Sequence, residues 1–300
     1  MKIALYNLEP QIVNAAMMQV ATFYKKGGHE VGFYKALQHS TYDRIYAFSI
    51  FAFTPKNGVT RDMICGGTGF EDKIATRLPP EVEECDYDWA LYPDCDFSVI
   101  WFSRGCIRAC PFCLVAKKEG MIYAVEPKNL NPNGQHIKVM DNNFFASPKW
   151  REAVEWLREK QQPVDFQGVD ARIMTEEMCK ALSRFEHYHQ VHIAWDNPKD
   201  NIVPQLEKIL KWIPANKLMC YVLIGYWSTP EEDLMRVETL RHMKIDPYIM
   251  PFNKDDWYQR KMRDYVNCKD LFKSGTTWEQ YIAREKKEDG KSQKLGVWMK

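Results

Sequence analysis

The chain has 300 residues, of which 45% are hydrophobic and 27% are charged, and its formal net charge is +1. These values are typical of a globular chain with a full core, exclude an intrinsically disordered one, and give no general attraction to polyanions. No apolar stretch reaches the roughly 18 residues of a membrane span, and no secretion signal opens the chain. The nine cysteines favour a reducing compartment. We therefore expect a cytoplasmic protein with no membrane segment.

The first 96 residues alternate short apolar strands with a helix. The predicted elements are strands over residues 2–6 and 31–34 and within 42–53, and a helix over 12–24, while residues 62–65 run into Gly66-Gly67. This alternation predicts a small, parallel, Rossmann-like domain. The Gly66-Gly67-Thr68-Gly69 turn lacks the glycine spacing of a dinucleotide loop that opens a helix, so no NAD site is predicted.

Three cysteines follow the next strand-like stretch, residues 97–102. Cys106, Cys110 and Cys113 lie within eight residues of one another. Thiolates are the usual ligands of iron–sulfur clusters, and a four-iron cluster normally takes four of them. Three cysteines on one loop can hold three irons and leave the fourth without a protein ligand, much as a catalytic zinc keeps one position open. The spacing therefore predicts a cluster with an iron available for chemistry.

Two other interpretations of this loop stay open. Cys110 and Cys113 alone suit a thioredoxin-like redox pair, although such a pair has no need of Cys106. A zinc-binding module needs a fourth ligand at short spacing, and residues 114–133 contain neither Cys nor His. Acid-labile sulfide separates a cluster from both alternatives.

From residue 97 the strand and helix patterns alternate more regularly. The predicted strands cover residues 98–102, 137–140, 164–167, 191–195, 218–225 and 247–251. The predicted helices between them cover residues 148–160, 175–185, 202–212 and 229–243. Six such units predict an α/β fold with a partial (β/α)6 barrel, a partial TIM barrel, over residues 97–253. Residues 254–300 show polar helical patterns and are predicted to form a helical C-terminal extension.

Polar residues follow several of these strands. Because ligands bind at the C-terminal ends of parallel strands, we expect these residues to meet a charged, hydrogen-bonding cofactor. Arg172 offers a fork suited to a carboxylate, and Asp196 can accept from ribose hydroxyls. The alternative for the acidic members is a capping or turn role. The candidates are Asp141, Asn142, Arg172, Asp196, Gly225 and Asn253.

The Cys-x3-Cys-x2-Cys spacing, with Gly105 before the first cysteine and Phe112 before the last, resembles the radical S-adenosylmethionine (radical SAM) superfamily. The resemblance implies that Cys106, Cys110 and Cys113 bind a 4Fe-4S cluster whose fourth iron is chelated by the amino and carboxylate groups of SAM. It further implies reductive cleavage of SAM to a 5′-deoxyadenosyl radical, which abstracts hydrogen from the substrate. An electron donor such as flavodoxin or ferredoxin, and an unidentified nucleotide, RNA or peptide substrate, are the implied partners.

Residues 97–253 are similar to the barrel of the cobalamin-dependent methyltransferases and the methylthiotransferases in that superfamily. By position the resemblance implies SAM contacts at Asp141 and Asn142, at Arg172 for the carboxylate, and at Asp196 for the ribose. Phe112, Gly225 and Asn253 complete the predicted cofactor-binding set. The family's Glu-Ser after the fourth strand is Asp-Asn here, and its Gly-x-Pro-Gly-Glu-Thr is replaced by residues 225–229 of different sequence. These departures leave the reaction subclass and the substrate open.

The leading domain resembles the Rossmann-like half of cobalamin-binding radical SAM enzymes, including Gly66-Gly67. The Asp-x-His-x-x-Gly loop by which many such proteins ligate cobalt is absent, so we do not expect cobalamin as a cofactor. We therefore expect a structural or substrate-docking domain. Methylthiotransferases hold a second cluster on three cysteines of their leading domain, but the spacing of Cys65, Cys85 and Cys95 differs from theirs, and we expect ordinary thiols.

Overall fold

The computed structural model describes residues 1–70 and 77–285. The chain divides into two compact units, Met1–Gly168 and Val169–Lys300. Both units contain parallel sheets with helices, which confirms the predicted α/β class. The predicted domain boundaries after residues 96 and 253 stay predictions.

Strands and helices alternate along both units. The strands are β1 (Lys2–Asn7), β2 (Glu30–Phe33), β3 (Arg44–Phe48), β4 (Ile64–Gly66), β5 (Phe97–Ile100), β6 (Ser103–Arg104), β7 (Tyr123–Ala124), β8 (His136–Val139), β9 (Val164–Phe166), β10 (Val191–Ala194), β11 (Leu218–Ile224) and β12 (Asp246–Pro251). The helices are α1 (Ala15–Lys26), α2 (Pro80–Glu83), α3 (Val115–Lys118), α4 (Trp150–Lys160), α5 (Glu176–Leu182), α6 (Val203–Leu210), α7 (Pro230–His242), α8 (Trp257–Asn267) and α9 (Lys269–Lys273), and residues 278–285 are also helical.

The first unit begins with a four-stranded parallel sheet in the order β2-β1-β3-β4. Apolar residues of β1 and α1 form its core, with Ile3, Leu5 and Met17 all fully buried. Helix α1 starts three residues later than the predicted residue 12, because the side chain of Asn14 accepts from the backbone N–H of Met17 and caps the helix there. The predicted parallel pairing of the strands in this part of the chain is confirmed.

A second parallel sheet of the first unit has the order β5-β8-β9. Its strands were predicted within three residues at each end. The short antiparallel pair of β6 and β7 was not predicted, since two residues per strand are too few to show a period. This pair closes the base of the segment that carries the three cysteines.

The second unit is built on a parallel sheet in the order β10-β11-β12, and its helices α5, α6 and α7 fall within the predicted ones. One face of the sheet is fully buried, with Ile193, Cys220 and Ile249 among its residues. Of the residues that the structure describes, none belongs to a helix long and apolar enough to cross a membrane.

Candidate cluster-binding loop and strand-end residues

Cys106, Cys110 and Cys113 lie on the loop between β6 and β7, which follows the C-terminal end of β5. All three side chains are half-buried, and none forms a disulfide. The backbone N–H of Arg108 donates to Cys106 Sγ at 3.4 Å, and the N–H of Cys113 donates to the carbonyl of Cys110 at 2.9 Å. Phe112 is half-buried on the same turn.

Gly105 begins the loop in a conformation open only to glycine. Its φ is +78°, and a Cβ at this position would lie 2.4 Å from the carbonyl oxygen of Met121 and 2.7 Å from that of Gly120. The backbone N–H of Cys106 donates to the same Gly120 oxygen at 3.2 Å. Gly105 therefore lets the two ends of the loop touch, which brings the first cysteine against the returning chain.

Glu119 holds this closure together from the far end of the loop. Its carboxylate accepts from Arg104 Nη2 at 2.7 Å, from the backbone N–H of Gly105 at 2.9 Å and from Asn142 Nδ2 at 2.8 Å. Burial raises the pKa of Glu119, but Arg104 and these hydrogen bonds, with Lys118, outweigh it and lower the pKa overall. Asn142, a predicted cofactor contact, thus ties the end of β8 to the loop. No motif in the sequence marks Glu119.

Asp141, another predicted cofactor contact, holds the residues that lead into the loop. The residue is 1% exposed, and its carboxylate accepts from the backbone N–H of Phe102 at 3.0 Å and from Ser103 Oγ at 2.5 Å. Burial raises the pKa of Asp141 to about 6, although the hydrogen bonds act in the opposite direction. In the first unit the side chain is therefore engaged in fixing the chain just before the cysteines.

The cysteine loop supplies the donor chemistry of an iron–sulfur site. Three thiols on a single loop match the preference of iron–sulfur clusters for thiolate ligands. The close approach at Gly105 and the N–H directed at Cys106 Sγ fix the first cysteine relative to the returning chain. Within residues 1–70 and 77–285, no three Cys, His, Asp or Glu side chains are already gathered into a metal-binding group.

In the second unit Arg172 lies just after β9 and is paired with two carboxylates. Its Nε and Nη2 donate to the two oxygens of Asp170 at 2.7 and 3.2 Å, and its Nη1 donates to Asp200 at 3.1 Å. Asp170 also accepts from the backbone N–H of Arg172, which fixes the turn. Three of the five N–H donors of a guanidinium are thus used by these carboxylates. The sequence predicted that the Arg172 guanidinium binds a carboxylate, but it did not identify Asp170 and Asp200 as the carboxylates that it meets.

Asp196 follows β10 and is half-buried in the second unit. Burial raises its pKa, while the positive charges of Arg172 and Arg236 act to lower it. Arg236 of α7 is fully buried and donates to the carbonyl oxygens of Trp195, Asp196 and Leu223 at 2.6 to 3.0 Å. Its charge is balanced by Asp233 at 2.5 Å. Arg236 therefore fixes the ends of β10 and β11, the backbone on which Asp196 is carried.

Gly225 and Asn253 follow β11 and β12, and both meet Gln259 of α8. A Cβ at Gly225 would lie 2.1 Å from Gln259 Nε2, and the φ of Gly225 is +76°. The backbone N–H of Asn253 donates to Gln259 Oε1 at 2.9 Å, and the Asn253 side chain accepts from the N–H of Asp255. In the structure these two predicted cofactor contacts serve the docking of α8 against the strand ends.

The predicted site residues thus form two groups, one in each unit. The first unit brings Asp141 and Asn142 to the base of the loop with Cys106, Cys110 and Cys113. The second unit holds Asp196, Gly225 and Asn253 at the ends of its strands and Arg172 against Asp200. In comparisons with protein-family models and with curated proteins, nothing matches this chain.

Proposed function

We propose that this protein is a radical SAM enzyme. The observation that carries the proposal is the loop after β5, where three half-buried cysteines free of disulfides follow Gly105, whose positive φ favours glycine. Cys106, Cys110 and Cys113 are the proposed ligands of a 4Fe-4S cluster. The cluster, when bound, supplies the electron that cleaves SAM to methionine and a 5′-deoxyadenosyl radical for hydrogen abstraction.

The chain's own residues have positioning roles in this proposal. Glu119 and Gly105 close the loop at its base, and Asp141 holds the two residues that enter it. The N–H of Arg108 donates to Cys106 Sγ, which orients the first proposed ligand. These contacts fix the base of the loop, which limits the entropy lost when its cysteines come together on a metal.

The partial (β/α)6 barrel is part of the same proposal. The three parallel strands β5, β8 and β9 in the first unit, and β10, β11 and β12 in the second, are in sequence order within their sheets, as a barrel of this kind requires. Arg172 and Asp196 are the proposed SAM contacts of the second unit. Arg172 retains two N–H donors that no described carboxylate uses.

Metal analysis tests the cluster. Protein prepared anaerobically is expected to carry about four irons and four sulfides per chain. The triple variant Cys106→Ala, Cys110→Ala, Cys113→Ala should carry almost none. The matched control is the triple alanine variant of Cys65, Cys85 and Cys95, which should keep the wild-type content. Iron retained in the first variant refutes the proposal, zinc without sulfide identifies a zinc module, and iron lost from the control reveals a second cluster.

Product analysis tests the reaction. Reduced, cluster-loaded protein is expected to convert SAM slowly to 5′-deoxyadenosine and methionine even without substrate. Arg172→Lys keeps the charge but loses the fork, so SAM affinity should fall roughly ten-fold or more at unchanged iron content, since a charged hydrogen bond contributes about 1.5–3 kcal/mol. Absence of 5′-deoxyadenosine from reduced, fully loaded protein, with or without candidate nucleotide, RNA and peptide substrates, refutes the radical mechanism.

A further inference from the structure

The C-terminal edge of the leading sheet, β2-β1-β3-β4, has the position of a binding site. The chain leaves β1 towards β2 and leaves β3 in the opposite direction, towards β4, so the topology switches between β1 and β3. Open parallel sheets generally bind ligands in the crevice at such a point. The residues that follow β1 and β3 therefore decide what this crevice receives.

Three hydrogen-bond donors that follow β3 meet in the crevice. They are the hydroxyl of Ser49 and the backbone N–H groups of Ile50 and Phe51. Successive backbone N–H groups directed at one point form an anion-binding nest, and we use that name for these three donors. Because hydroxyl and N–H groups are dipoles without net charge, the nest suits a singly charged carboxylate better than a doubly charged phosphate.

The Gly66-Gly67-Thr68-Gly69 turn holds the nest from behind. The backbone N–H of Gly69 donates to the carbonyl oxygen of Ser49 at 2.9 Å, and Thr68 Oγ1 donates to that of Ile50 at 2.6 Å. A Cβ at Gly69 would lie 2.1 Å from Ser49 Oγ, so only glycine lets the turn approach this closely. This glycine-rich turn, in which no dinucleotide site was predicted, thus fixes the backbone that forms the nest.

Glu9, just after β1, fills the nest with its own carboxylate. The residue is 3% exposed, and it accepts from Ser49 Oγ at 2.9 Å, from the backbone N–H of Ile50 at 3.1 Å and from that of Phe51 at 3.3 Å. Burial raises the pKa of Glu9, but these hydrogen bonds and one with Thr54 outweigh it and lower the pKa. The nest therefore favours the charged form of Glu9.

The backbone of Glu9 is fixed as well. Its N–H donates to Asn7 Oδ1 at 3.1 Å, and its carbonyl oxygen accepts from the N–H of Ile12 at 2.9 Å. Asn7 Nδ2 donates in turn to the carbonyl oxygen of Ile12 at 3.1 Å. Because the nest and the residue that fills it are both held in place, Glu9 has the position of a ligand that the chain itself supplies.

We propose that the crevice of the leading sheet is a carboxylate-binding site whose ligand is Glu9 itself. The Glu9 carboxylate closes the position at which an open parallel sheet binds a ligand, and it keeps phosphate-bearing ligands out. Without the Glu9 side chain, the nest should bind a small carboxylate from solution. The site lies wholly in the first unit and does not require the iron–sulfur proposal.

Rescue of Glu9→Ala by acetate tests the proposal on the full chain, with the melting temperature as the readout. Acetate contains the same heavy atoms that the substitution removes, namely Cγ, Cδ, Oε1 and Oε2. Glu9→Ala should melt below the wild type. Acetate should raise its melting temperature saturably, by roughly 2–4 °C at about ten times the Kd, whereas sodium chloride of equal ionic strength should not.

Two further variants are the controls. Asp62→Ala removes an exposed carboxylate that contacts His39 at 2.9 Å and lies outside the nest, so acetate should affect this variant and the wild type equally. Gly69→Ala drives a Cβ towards Ser49 Oγ and so distorts the nest. In the double variant Glu9→Ala, Gly69→Ala the response to acetate should therefore be lost.

Two results overturn the proposal. One is a response of Glu9→Ala to acetate that is no larger than that of the wild type or of Asp62→Ala, which indicates a general salt effect. The other comes from carbon-detected NMR of the wild-type protein, which applies even if Glu9→Ala does not fold: a Glu9 carboxyl that titrates at or above the ordinary glutamate pKa does not occupy a nest. Because protein without metal serves for both measurements, failure here leaves the metal and product analyses unaffected.

Discussion

Replacing Asp141 by Asn measures how much one buried, charged carboxylate at the base of the cysteine loop lowers the free energy of unfolding. Burial raises the pKa of Asp141 from 3.8 to about 6, and a shift of about two units corresponds to roughly 3 kcal/mol. Because the folded state holds the proton more tightly, this group favours folding most below pH 3.8, and that contribution is lost as the pH rises through about 6. An Asn at 141 is neutral at every pH. Its amide can still accept from the Phe102 N–H and donate to Ser103 Oγ.

Urea unfolding at pH 4.5, 6.0 and 7.5, followed by tryptophan fluorescence, measures this cost. Asp141→Asn should be more stable than the wild type at pH 7.5, by up to about 3 kcal/mol, and the gain should shrink towards pH 4.5. Asp141→Ala leaves both donors without their acceptor and should lose about 1–3 kcal/mol relative to Asp141→Asn at each pH. The reasoning fails if Asp141→Asn is less stable than the wild type at pH 7.5 and shows the same pH dependence.

Four further changes test contacts elsewhere in the two units. Gly105→Ala drives a Cβ into the facing carbonyl oxygens, so anaerobically prepared protein should contain less iron than the wild type. Gly225→Ala should lower the melting temperature, because the added Cβ clashes with the Gln259 side chain. Adding Gln259→Ala removes that clash and should recover part of the loss. Arg236→Met leaves a buried carboxylate without its cation and should cost about 3–5 kcal/mol in urea unfolding. Glu9→Gln should flatten the loss of stability in acid, since the lowered pKa of Glu9 gives stability above its unfolded value that disappears as the pH falls through the folded value.

The strands and helices were predictable because each has a period visible in a short window. Strand β11, residues 218–224, was predicted within one residue, since seven mostly apolar residues stand between polar turns. The start of α1 was predicted too early because Ile12 and Val13 continue its apolar pattern, while Asn14 caps the helix. The β6–β7 pair depends on a contact between residues twenty positions apart and has no period of its own.

The candidate site divides in the same way. The sequence alone identified Cys106, Cys110 and Cys113, because ligands carried by one loop are close together along the chain. The roles of Glu119 and Gln259 depend on partners that only the fold brings close, such as Asn142 for the former. Asp141 was predicted from its position at a strand end, but position alone does not distinguish a ligand contact from a carboxylate that holds the backbone of the loop.

Arg172 shows how the fold changes the meaning of a predicted ligand contact. A lone guanidinium attracts a ligand carboxylate strongly, but Asp170 and Asp200 already neutralise this one and occupy three of its donors. Asp170→Asn should therefore strengthen the attraction of Arg172 for an added carboxylate if Arg172 binds one, and titration with SAM should show a lower Kd for that variant. If Arg172 serves only the turn after β9, Asp170→Asn should leave the Kd unchanged and reduce stability, because a charged hydrogen bond of about 1.5–3 kcal/mol is weakened. The Kd for SAM in this one variant therefore distinguishes the two roles of Arg172.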